Sequence, residues 1–72
     1  MKNLKIGDTL IMNFHFMGIT SKEEEEIMDI NENTVSLHRS DDEVWVFDLK
    51  TGKCLNDNTY MGAYRTIEPK TH

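Results

Sequence analysis

Residues 9 to 16 read TLIMNFHF. Leu10, Met12, Phe14 and Phe16 are apolar, and Thr9, Asn13 and His15 are polar, with Ile11 the one exception. Alternation with a period of two sends successive side chains to opposite faces of a sheet, so this stretch predicts a strand whose even side is buried and whose odd side is wet. Lys5, Ile6, Gly7 and Asp8 before it are turn chemistry, since glycine accepts positive φ and aspartate bonds the backbone two residues on. Gly18 is expected to end or bend the strand.

The alternation returns at residues 34 to 38, with Val35 and Leu37 on one side, after Asn31, Glu32 and Asn33, which suit a tight turn. A second polar turn, Ser40, Asp41, Asp42 and Glu43, leads into VWVFDL, residues 44 to 49, a β-branched and aromatic run that predicts a strand. Trp45, Phe47 and Leu49 form its larger alternate set and are expected to face the core, because aromatics bury the most area. Lys50, Thr51 and Gly52 close that strand. Residues 53 to 62 lack a period and are rich in Asn, Asp and Gly, which predicts a loop with a short strand at its start. Residues 64 to 67 are expected to form a last strand, stopped by Pro69.

The segment SKEEEEIMDINEN, residues 21 to 33, is open to two readings. Ser21 with Glu24 is a capping-box pattern and glutamate is a good helix former, which suits a helix over residues 22 to 29. Yet the four glutamates have no Lys or Arg four residues later, and Ile27, Met28 and Ile30 make a narrow apolar stripe. The balance favours a strand and a hairpin with residues 34 to 38. Five strands near ten residues apart, joined by short turns, predict an all-β sandwich or small barrel, and the length favours the barrel.

Length and charge narrow this further. A chain of 72 residues is expected to form a single domain that buries about 60% of the surface of its unfolded form, too little for a deep substrate cavity. Apolar residues make up 38% of the chain and no apolar run is long enough to cross a bilayer, so the expectation is a folded protein outside the membrane. The N-terminus carries no apolar stretch of secretory length, and the single cysteine, Cys54, has no internal disulfide partner; both point to the cytoplasm. Without a disulfide or metal, so small a core leaves homo-oligomerisation open. The net charge is −5, and its acid is concentrated: residues 23 to 32 hold six acidic side chains and no basic one.

In order, Ile6, Gly7 and Asp8 before a first strand, a glycine near that strand's end, residues 27 to 30, Asn33, Thr34 and Val35 with a turn, residues 47 to 52 and a closing Tyr64, Arg65, Thr66 and Ile67 resemble the small SH3-like barrels. KOW and Tudor-type modules share this layout, as do short proteins of phages and other mobile elements. The resemblance implies a bent five-stranded barrel with an open groove between the first long loop and the last strand. It leaves function open among RNA binding, protein binding and structural roles. KOW-like RNA binders present a basic face, whereas here the corresponding second strand carries Glu23, Glu24, Glu25 and Glu26.

The candidate chemistry is sparse. His15 and His38 are expected to be exposed imidazoles on sheet faces. His15, His38, Cys54 and His72 are too scattered for the close ligand pairs of structural zinc sites, so no metal or cofactor is expected. No phosphate loop, His-Glu-x-x-His or Gly-x-Ser-x-Gly motif occurs, and no enzyme is expected. Glu23, Glu24, Glu25 and Glu26 either solvate a strand edge or dock a basic partner, because like charges speed and orient encounter. Trp45, Tyr60 and Tyr64 with Arg65 either belong to the core and its rim or form an aromatic and basic groove. The leading expectation is a non-catalytic module, an accessory or inhibitory protein, that binds a protein partner through the acidic run. Its rival is an RNA- or DNA-binding barrel using Arg39, Tyr60, Tyr64 and Arg65.

Overall fold

The computed structural model describes residues 4 to 57 and 62 to 70. Five antiparallel strands, β1 (Thr9–Phe16), β2 (Ile19–Ile30), β3 (Thr34–Ser40), β4 (Glu43–Asp48) and β5 (Tyr64–Pro69), form one sheet in the order β4-β3-β2-β1-β5, with no helix among the described residues. The sheet curls into a half-barrel. The glutamate-rich segment is a strand, as its missing ion-pair partners and narrow apolar stripe suggest.

The β1–β2 hairpin turns on Met17 and Gly18, with φ of 51° and 78°, while Phe16 and Ile19 pair across it. Two positive φ values in a two-residue loop make a type I′ turn, whose twist matches that of the strands it joins. Glycine adopts this conformation freely, but methionine carries a Cβ penalty.

β2 serves two neighbours. Residues 19 to 26 pair with β1 from Phe16↔Ile19 to Thr9↔Glu26, and Ile27, Asp29 and Ile30 pair with β3, with a register irregularity between Ile27 and Asp29. That irregularity bends β2 and lets the sheet curl. On the far side, residues 52 to 55 stitch the two edge strands together. Leu55 N–H donates to Val46 O at 2.7 Å on β4, and Cys54 N–H donates to Arg65 O at 3.1 Å on β5. Gly52, at φ 77°, sits where a Cβ would lie 3.4 Å from the Ile67 carbonyl oxygen.

The core comprises Leu10, Met12, Ile27, Val35, Leu37, Trp45, Phe47, Ala63 and Ile67. The even side of β1 is therefore the inner one, and Trp45 and Phe47 face inward with Leu49 packed at the margin. Asn13 departs from the alternation. It lies on the outer face, expected to be wet, yet only 6% of it is exposed, because β1 runs between β2 and β5 and Lys22 reaches across to donate to Asn13 Oδ1 at 2.9 Å.

Candidate functional site

Strand alternation decides where the glutamates point. Glu24 and Glu26 share the outer face with Thr20, Lys22, Ile11 and Asn13, whereas Glu23 and Glu25 share the inner side with Ile27, beyond the part of the sheet that closes over the core. The run thus presents two pairs of carboxylates on opposite sides of one strand. Glu23, Glu24 and Glu26 are exposed and Glu25 is half-buried.

On the outer face Glu24 belongs to a mixed-charge row, whereas Glu26 forms no salt bridge among the described residues. Lys70 Nζ lies 2.6 Å from Glu24 Oε1, and Lys22 Nζ donates to Glu68 Oε1 at 2.6 Å. The Lys22 hydrogen bond holds the Glu68 carboxyl below its ordinary pKa. Glu23 and Glu25 of the inner pair form no salt bridge among the described residues. Partial burial, then the neighbouring Glu23 carboxylate, push the Glu25 pKa up, against a smaller opposing pull from His38. Two like charges crowd each other on this side of β2.

The aromatic and basic residues sit elsewhere. Arg65, paired with Phe14 in the β1–β5 register, places its guanidinium carbon 4.5 Å from the centre of the Phe14 ring and 4.0 Å from that of Trp45. Arg39 stands 4.1 Å from the same Trp45 ring and is ion-paired to Glu43 at 3.2 Å. Arg65 Nη1 also donates to Asp57 Oδ1 at 2.5 Å, and only 4% of the Asp57 side chain is exposed. Both arginines are committed to stacking and ion pairing, and together they cap one end of the core. A cleft beside the Arg65–Asp57 pair is lined by Lys53, Cys54, Asp57, Tyr64 and Arg65. Burial, ahead of weaker opposing hydrogen bonds, raises the Cys54 thiol pKa, the reverse of what a nucleophilic cysteine needs.

His15 is half-buried on the outer face. Its ring stacks on Tyr64 with centres 4.5 Å apart, and its Nδ1 and Nε2 lie 3.1 Å and 2.8 Å from the Thr20 and Thr66 hydroxyls. Tyr64 is exposed beside His15 on the outer side while Trp45 is buried on the inner one; Tyr64 and Arg65 meet at the cleft beside Asp57, which Trp45 does not line, and Tyr60 lies outside the described residues. No group of three or more His, Cys, Asp or Glu side chains among the described residues could hold a metal ion.

Sequence reasoning missed Asn56. Its amide accepts from Val46 N–H and donates to Val44 O, both at 2.9 Å, so one side chain imitates a paired strand along the edge of β4. Asn56 belongs to an aperiodic stretch, and nothing local announces bonds to residues ten and twelve positions away.

No family model matches the chain, and no curated protein or solved structure is significantly similar to it.

Proposed function

We propose that this curled sheet is a single SH3-like domain working in the cytoplasm as a non-catalytic interaction module, and that it binds a basic protein partner through residues 23 to 26 of β2. The observation that carries the reading is the inner pair, Glu23 and Glu25, crowded together on one side of β2 with no salt bridge to either among the described residues. A cation placed between them would relieve that repulsion, a gain that a merely solvated glutamate run does not offer. The arginines that a nucleic-acid groove would need, Arg39 and Arg65, are already engaged with Glu43, Asp57 and the Trp45 ring. The element order supports the SH3-like reading: a bent second strand is shared between two parts of the sheet and a short last strand lies beside the first.

The test is a fluorescence-anisotropy titration with a ten-residue oligolysine and with single- and double-stranded oligonucleotides. The variant has Glu23, Glu24, Glu25 and Glu26 replaced by glutamine; the control replaces Asp29, Glu32, Asp41 and Asp42 by their amides. The proposal predicts that the first variant loses at least tenfold in oligolysine affinity and the second much less. Added salt should weaken binding to the unmutated protein, because the Debye length falls from about 10 Å at 0.1 M to about 3 Å at 1 M. Equal losses in the two variants would show a general charge effect and overturn the proposal. So would unchanged oligolysine binding accompanied by tighter oligonucleotide binding.

A further inference from the structure

β2 is twelve residues long, but only its last four lie against β3. Pairing between them stops at Ile27↔Leu37, although β3 continues to Ser40, so the two strands diverge. Residues 19 to 26 keep β1 on one side and, among the described residues, have no strand on the other.

The direction of the backbone groups follows from both ends of this stretch. At its start the two-residue turn makes Phe16↔Ile19 the closing pair of the hairpin, with the Ile19 backbone turned toward β1. At its end Ile27 N–H donates to Asp8 O at 2.7 Å and Ile27 O accepts from Gly7 N–H at 2.9 Å, again toward the β1 side. The register between these points is unbroken. Alternation along an antiparallel strand then turns the N–H and C=O groups of Thr20, Lys22 and Glu24 away from β1, toward the open side. Such an edge is a template for one more strand.

We infer that the open edge of β2 at Thr20, Lys22 and Glu24 takes up an extended basic segment of a partner protein as an added antiparallel strand, with lysines or arginines at every second position facing Glu23 and Glu25. This inference rests on the acidic-surface reading above and supplies its geometry. An extended segment places alternate side chains on one face about 7 Å apart, the same spacing that separates Glu23 from Glu25, so a basic residue at every second position meets both carboxylates. On the outer face the added strand meets Thr20 and Lys22, with Lys22 already engaged by Glu68 and Glu24 by Lys70. Charge therefore selects the partner mainly on the inner side. On β3, Arg39 is ion-paired to Glu43 and stacked on Trp45, and His38 exerts only a small pull on Glu25. A second copy of this chain is a poor occupant, since antiparallel pairing about Lys22 would set uncharged Ser21 and Ile19, and no basic residue, opposite Glu23 and Glu25.

The probe is an eight-residue peptide alternating lysine and threonine, compared with the same peptide N-methylated on the backbone at every second residue, which keeps the charge but cannot complete the ladder. Amide hydrogen exchange of the unmutated protein reads the edge. The inference predicts fast exchange at Thr20, Lys22 and Glu24 in the free protein, at least tenfold slowing with the first peptide, and at least tenfold weaker binding of the N-methylated one. If both peptides bind equally without protecting these amides, while Glu23→Gln with Glu25→Gln weakens both, strand addition is overturned and the acidic-surface reading stands. If neither peptide binds, both fall. Protection of these amides that grows with protein concentration alone would make a second copy the occupant and overturn the inference.

Discussion

Replacing Arg65 by methionine tests the account of the capped core end. The guanidinium touches two aromatic rings and holds a carboxylate whose side chain is 4% exposed, while the Arg65 side chain itself is 22% exposed. Methionine retains much of the apolar stem but leaves Asp57 buried and unpaired, a change that costs about 3–5 kcal/mol for fully buried pairs. Loss of the two ring contacts adds about 0.5–1 kcal/mol each. Residual exposure of Arg65 and water entering the gap reduce the sum, so Arg65→Met is expected to destabilise by about 3 kcal/mol. Asp57→Asn alone should cost less, about 1–2 kcal/mol, because a partly exposed arginine can be rehydrated. In the double variant the orphaned carboxylate is gone, and stability should return by at least about 1 kcal/mol relative to Arg65→Met. Urea unfolding followed by fluorescence of Trp45, the one tryptophan of the chain, measures all three. A loss below about 1 kcal/mol for Arg65→Met, or purely additive effects in the cycle, would refute the reasoning.

Two further outcomes follow from local geometry. Met17→Asn should raise stability by about 0.5–1 kcal/mol in the same assay, because asparagine tolerates the left-handed conformation that Met17 adopts at φ 51° and the Met17 side chain is exposed. Glu25, whose folded-state pKa is raised, favours folding at acidic pH, and that contribution disappears as pH rises through the raised value. Glu68, whose pKa is lowered, contributes above the usual glutamate pKa and loses its contribution as pH falls. Glu25→Gln should therefore increase the melting temperature at pH 7 relative to pH 4, and Glu68→Gln should do the reverse; thermal melts at the two pH values read both signs.

The strands of this protein were legible because their signals are local. The alternation at residues 9 to 16 and the aromatic run at residues 44 to 49 each name an inner face, and the structure buries Leu10, Met12, Trp45 and Phe47 accordingly. For residues 22 to 29, what the segment lacks, namely ion pairs along a helix and a broad apolar stripe, pointed to the strand that forms. The unread part depends on chain separation. Asn13 is buried because Lys22 crosses over it, Asn56 matters because it reaches β4, and Arg65 is engaged because Asp57 returns beside it. The acidic run looks like one patch along the chain, but the pleat divides it, and of its four glutamates only Glu24, on the outer face, is ion-paired among the described residues. Whether the edge beside it is open depends on where β3 leaves β2, which is at the pair Ile27↔Leu37.

The most direct test of the central claim is a map of amide chemical shifts by two-dimensional NMR during titration with oligolysine at 0.1 M salt. The account predicts that the largest changes fall on residues 19 to 26, with much smaller ones at Tyr64 and Arg65. Changes centred on Tyr64, Arg65 and the cleft beside Asp57, with residues 19 to 26 unmoved, would contradict it.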